Sequence, residues 1–156
     1  VEASVTGYRQ LMAGMVLAAR GKAGAVEPIA TSIDVIPNYR FYSGGASSMR
    51  GFKRRRLGPR DSAGDPIGGE TMLQFNLEYR FPLVSDFGLV GLVFYDAGNA
   101  WSKDDGYRLD DLRSSYGAGI RWNSPVGPLR LEYGRVINPE KGEDEANWEF
   151  TVGSMF

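Results

Sequence analysis

Met72–Phe81 reads MLQFNLEYRF. Leu73, Phe75, Leu77, Tyr79 and Phe81 share one parity, and Gln74, Asn76, Glu78 and Arg80 share the other. Successive side chains of a strand point to opposite faces, so this segment reads as a strand with one apolar and one polar face.

The same period runs through the chain. In Leu129–Tyr133, Leu129, Leu131 and Tyr133 oppose Arg130 and Glu132. In Ser115–Trp122, Tyr116, Ala118, Ile120 and Trp122 oppose Ser115, Gly117, Gly119 and Arg121. Trp148–Phe156 sets Trp148, Phe150, Val152 and Phe156 against Glu149, Thr151 and Gly153. Leu11–Lys22 places Leu11, Ala13, Met15, Leu17 and Ala19 opposite Arg20 and Lys22, and the opening VEASVT alternates as well. Gly88–Trp101 is apolar on both faces until Asp96, which implies that something other than water covers its inner face.

Alternation suits two architectures. In a soluble sandwich the apolar face meets a second sheet; in a membrane barrel it meets lipid, and the polar face lines the lumen. Strands of about ten residues are long enough to cross a bilayer at a tilt. Aromatic residues near strand ends (Tyr79, Phe81, Trp101, Trp122, Trp148, Phe156) match interfacial girdles. The connections alternate too. Tight links fall near Tyr8–Gln10, after Phe81 and at SPVG; long ones cover about 22–67, SKDDGYRLDD and INPEKGEDEAN. Short periplasmic turns and long extracellular loops follow that rhythm, which puts Phe156 on the periplasmic side. The expected fold is therefore all-β, an antiparallel transmembrane β-barrel portion of about seven strands with one very long connection; that this loop folds inward is what a family resemblance implies. A soluble β-sandwich binding module is the alternative.

Composition narrows the function. The 156 residues include no Cys and no His, which removes thiol chemistry and the commonest general base and metal ligand. Net charge is −1, with 21 Gly, 8 Tyr, 8 Phe and 3 Trp. No catalytic site, metal or cofactor is expected. Ser47 and Ser48 lack a nucleophile elbow, and GGASSMRG lacks the Gly-Lys-Ser/Thr of a phosphate loop. Asp104, Asp105, Asp110 and Asp111 lack calcium-loop spacing. Lys53–Arg56 reads as a solvated loop flank, not a nucleic-acid contact.

Five stretches in order carry a family resemblance. They are FYSGGASSMRGF, GGETMLQFNLEYRFPL, FYDAGNAW, GIRWNSPVGPLRLEYG and a last strand ending in Phe156. Together they resemble the C-terminal part of the BamA/TamA outer-membrane assembly superfamily (the bacterial surface antigen type). The resemblance implies that 1–156 is a piece of a longer barrel chain, in the outer membrane, with its C-terminus periplasmic. It implies a factor that inserts and folds barrel proteins through a lateral seam, working without a cofactor. A two-partner secretion or passenger-translocating pore of the same superfamily is the alternative. The implied partners are outer-membrane lipid, nascent β-barrel clients, and assembly-machine lipoproteins reached through periplasmic domains upstream. Alone, a seven-stranded piece has two open edges and is expected to self-associate, with a short strand recruited from Ala30–Ile36.

The resemblance also assigns residues. Arg50, Gly51 and Phe52 form the motif of a loop that folds into the lumen, where Arg50 pairs with Asp96 and Glu78. Gly44 and Gly45 let that loop turn tightly. Trp148, Phe150, Val152 and Phe156 resemble an outer-membrane targeting signal, and Gly153 the glycine of a weakened seam strand.

Overall fold

The computed structural model describes residues 1–28, 35–125 and 127–153. Seven strands follow one another: β1 Glu2–Gln10, β2 Val16–Ala25, β3 Thr71–Val84, β4 Leu89–Trp101, β5 Arg113–Ser124, β6 Gly127–Ile137 and β7 Ala146–Val152. Each pairs antiparallel with the next in a single sheet ordered β1 to β7. The sandwich alternative is therefore not what forms: among the described residues there is no second sheet to take the apolar faces. The only helical segments described are four single 3-10 turns.

Register follows the alternation. Asn76 pairs with Asp96, Glu78 with Phe94, Gly119 with Glu132 and Glu132 with Glu149, so the polar parity of β3 and β4 continues onto β5, β6 and β7. A slip of one residue would exchange the two faces, and the hydrophobic pattern forbids it. The outer face exposes Phe75, Leu77, Val93, Tyr95, Ile120, Trp122 and Phe150. On the inner face Gln74, Glu78, Leu92, Phe94, Asp96, Arg130 and Glu132 are buried. The described part of the 26–70 connection covers that face, anchored by bridges between Phe41 and Gly69 and between Ser43 and Leu57. The apolar inner residues of β4 are explained by this covering: Phe94 lies under the guanidinium of Arg50, whose Cζ is 3.7 Å from the ring centroid.

Several boundaries differ from the sequence reading. Leu11, Ala13 and Met15 lie in the β1–β2 turn, not on a strand face, because Ala13 and Gly14 adopt left-handed backbone with φ of 55° and 73°. β1 runs to Gln10, so the tight link is 11–15 rather than Tyr8–Gln10. β2 continues to Ala25, where Ala23, Gly24 and Ala25 pair with Leu73, Met72 and Thr71. The long connection is thus 26–70 rather than 22–67. β7 ends at Val152, and Gly153 stands in a bend just beyond it with φ 101°, its N–H donating to the Pro128 carbonyl at 2.8 Å. Phe156 lies outside the described residues, as does most of Ala30–Ile36.

Two glycines on β5 permit the inner face to pack closely. A Cβ on Gly117 would stand 2.0 Å from the Tyr133 carbonyl oxygen and 2.5 Å from the Phe94 ring; one on Gly119 would stand 2.6 Å from Glu132 Cγ. By contrast, a Cβ on Gly7 of β1 meets nothing within 4 Å. Gly117→Val is expected to lose about 1–3 kcal/mol through overpacking, with Gly7→Val near neutral. Urea unfolding of the full-length protein checks the difference, and equal midpoints would contradict this packing.

Candidate functional site

The 41–57 segment is held in a tight fold before it meets the sheet. The Gly45 N–H donates to the Met49 and Phe52 carbonyls at 3.0 and 3.1 Å, and the Gly44 N–H donates to Ser48 Oγ at 2.9 Å. Gly44 has φ 107°, and a Cβ there would fall 2.3 Å from the Lys53 carbonyl oxygen. Only a residue without a side chain fits both conditions. Met49, Phe52 and Leu57 then pack with Val136 of β6 in a small apolar cluster. That cluster fixes the depth at which Arg50 enters.

Arg50 is 2% exposed and reaches three strands. Its Nε donates to Asp96 Oδ2 at 2.8 Å and its Nη2 to Asp96 Oδ1 at 2.6 Å, the bidentate arrangement that suits a planar guanidinium. The Arg50 backbone N–H adds a bond to Asp96 Oδ2 at 3.1 Å. Nη1 donates to Glu78 Oε1 at 2.5 Å and lies 3.5 Å from Glu132 Oε2. Asp96 comes from β4, Glu78 from β3 and Glu132 from β6, so the clamp exists only when the strands hold their register.

A second layer of arginines completes the carboxylates. Arg121 of β5 bridges Glu78 Oε1 at 2.7 Å and Glu132 Oε1 at 3.0 Å. Arg130 donates to Glu132 at 2.9 and 3.0 Å, and Arg80 donates to Glu78 Oε2 at 2.6 Å. Asn76 links the sheet to the loop, donating to Asp96 Oδ1 at 2.9 Å and to the Ser48 carbonyl at 2.7 Å. Gln74 donates to Ser43 Oγ at 2.5 Å.

The structure brings Arg50, Gly51, Phe52, Asp96 and Glu78 together, with Gly44 and Gly45 in the turn behind them. Trp148, Phe150 and Val152 stand apart, exposed on the outer face of β7. Glu132, Arg121, Arg130 and Asn76 escaped the sequence reading of the site. Their inward parity was visible in the sequence; which inward residues share one level of the sheet depends on register, which was not. The run Lys53–Arg56 finds partners at the surface: Lys53 pairs with Asp144 at 2.7 Å, and Arg55 lies 3.9 Å from the Tyr42 ring.

Gly51 marks the crossing of loop and wall. It has φ 87°, and on β6 a Cβ at Gly134 would stand 2.5 Å from the Gly51 nitrogen and 2.7 Å from its Cα. The two backbones touch with no side chain between them. Among the described residues no cluster of carboxylates is arranged to hold a metal ion, and Glu78, Asp96 and Glu132 are each engaged by guanidinium donors. What the arrangement can do is hold a loop inside a sheet by charge, hydrogen bonds and shape.

A model of the Omp85 superfamily domain matches residues 1–156. The chain is 39% identical over 153 residues to the outer membrane protein assembly factor BamA of Nitratidesulfovibrio vulgaris, covering 96% of this chain and 19% of that protein. It is 30% identical over 150 residues to BamA of Neisseria meningitidis, covering 74% and 18%. It is 33% identical over 151 residues to the human sorting and assembly machinery component 50 homolog, covering 86% and 32%. The crystal structure of BamA from Haemophilus ducreyi lacking POTRA domains 1–3 superposes with a TM-score of 0.80 at 25% identity, over 98% of this chain and 34% of that one. The chain thus spans about a fifth of the length of the bacterial relatives it matches.

Removing one partner of a buried ion cluster leaves the others uncompensated, at about 3–5 kcal/mol. Arg50→Ala in the full-length protein is expected to lose stability on that scale and to open 41–57 to protease, whereas Arg56→Ala at the surface leaves both unchanged. Limited proteolysis with mass mapping measures the exposure. Equal cleavage in the wild type and in Arg50→Ala would remove the clamp from any structural role.

Proposed function

The chain belongs to the Omp85 superfamily, and on that premise we propose that it is the C-terminal part of an outer-membrane barrel that inserts and folds other β-barrel proteins. The single observation that carries the reading is the combination of a seven-stranded meander with a loop clamped on its inner face, over nearly the whole length that matches BamA relatives.

Strands do the crossing in this reading. No described helix is long and apolar enough to span a membrane, which says nothing about strands. The outer face, with Phe75, Leu77, Ile120 and Phe150 exposed, supplies a lipid-facing surface, and the charged inner face lines a lumen. Short turns at 11–15 and 85–88 mark the periplasmic end, where β7 also finishes; 102–112 and 138–145 lie outside.

The edges of the sheet supply the mechanism. β1 and β7 each leave one side unpaired, and hydrocarbon does not tolerate unpaired backbone, so strands from the rest of the barrel must cover them. We read β7 as the weak side of that closure: the described strand is short, Ala146–Val152, and Gly153 stands in a bend with φ 101°. A seam of few hydrogen bonds can open sideways, and its N–H and C=O groups then template an incoming client strand. Main-chain pairing drives the exchange, with no covalent chemistry and no nucleotide. The clamped loop braces β3, β4 and β6, so the wall behind the seam keeps its shape while the edge moves. Further partners are lipid and, through upstream periplasmic domains, assembly-machine lipoproteins. Without the rest of the barrel, two copies would satisfy their edges by pairing with each other.

A disulfide placed between β7 and the first strand of the full-length barrel should stop growth under oxidising conditions and permit it when reduced. Normal growth with the lock quantitatively closed would refute insertion through this seam.

A further inference from the structure

Glu149 is the inner-face residue at the centre of β7, and the cluster described above does not use it. It pairs directly across from Glu132, so two carboxylates face each other on neighbouring strands. Like charges in that position repel. Glu132 is well served, with bonds from Arg130 and Arg121 and proximity to Arg50. Glu149 is not: both of its carboxylate oxygens are shielded from solvent and neither makes a hydrogen bond. Every other carboxylate of this inner cluster (Glu78, Asp96, Glu132) takes at least one guanidinium.

A buried carboxylate without a donor is costly, so its partner should come from the one side still open. On one side of Glu149 is β6, and Arg130 there directs its Nη2 to both oxygens of Glu132. The other side is the free edge of β7, where no described strand pairs. A strand added antiparallel to that edge places an inward side chain with its Cβ about 4.5–5.5 Å from that of Glu149, and diagonal neighbours at about 7–8 Å. An arginine or lysine there would give charge-assisted bonds and separate the Glu132–Glu149 pair from further repulsion.

We infer that the first strand of the closed barrel carries an inward-facing basic residue opposite or diagonal to Glu149, and that this ion pair sets the register of the seam. The inference rests on the barrel reading given above. Its value to the seam is specific. β7 spans only Ala146–Val152, so the ladder it can offer a strand on its open side is short, and a side-chain pair at its centre adds to what fixes register there. A one-residue slip turns the basic side chain to the lipid face, and a two-residue slip away from Glu149 lengthens the pair by a full inward position. Glu149 thus allows the seam to part and to close again in one alignment.

The test uses the full-length barrel in native membranes, with Thr151→Cys on β7 and single cysteines scanned along the first strand. The wild-type background should give one dominant cross-link. Glu149→Lys should cut its yield at least ten-fold or move it by two positions, and changing the basic residue of the first strand to Glu should restore it. Glu149→Gln, which keeps the shape, should cut the yield at least three-fold; it carries the test if Glu149→Lys fails to show the heat-modifiable mobility of a folded barrel. An unchanged cross-link in Glu149→Gln, or a first strand with no Lys or Arg within reach on its inner face, overturns the inference. No cross-link between β7 and the first strand in the wild type overturns the closed-barrel reading instead.

Discussion

A guanidinium taken out of water must be met by carboxylates, and that demand at Arg50 organises this chain. Desolvating one charge costs several kcal/mol, so Arg50 can be buried only where acids already converge. Three strands provide them: Glu78 from β3, Asp96 from β4 and Glu132 from β6. Those acids in turn would be an unstable concentration of negative charge without Arg80, Arg121 and Arg130. Loop and sheet therefore depend on each other. Such a network contributes less to net stability than to choosing one arrangement, since apolar packing would hold a loop down without fixing its position.

Shape reinforces charge. Gly51 and Gly134 let two backbones touch, and the touching point fixes where along β6 the loop crosses. Met49, Phe52, Leu57 and Val136 close an apolar plug beside the polar clamp. With the backbone N–H of Arg50 also bonded to Asp96, the motif is held from its main chain as well as its side chain. The consequence is a sheet whose β3, β4 and β6 are tied to one another through the loop they hold.

Much of this was legible in the sequence because a strand period of two separates an exposed apolar face from a buried charged one. MLQFNLEYRF could be read from parity alone, and so could the inward direction of Asp96 and Glu132. Strand ends were less legible. The turn at 11–15 turns on left-handed Ala13, a conformation that alanine does not advertise, and Ala23–Ala25 continue β2 although small residues read as loop. Arg50 could be assigned acidic partners through its motif. Glu132 could not, since its place in the clamp follows from Gly119 standing opposite it, and register is a property of strand pairs. Glu149 was visible only as one more polar residue on a strand; its unmet carboxylate needs the three-dimensional neighbourhood to be seen.

Hydrogen exchange of the full-length protein in lipid nanodiscs tests the central claim most directly, because the clamp ties a loop to a sheet through its backbone as well as its charge. Within 43–52, the amides of Gly44, Gly45, Ser48 and Arg50 should exchange as slowly as those at the centres of β3 and β4, since each is hydrogen-bonded within the loop or to Asp96. Exchange of 43–52 at the rate of the 102–112 connection would show a loop free in the lumen, and would contradict the account.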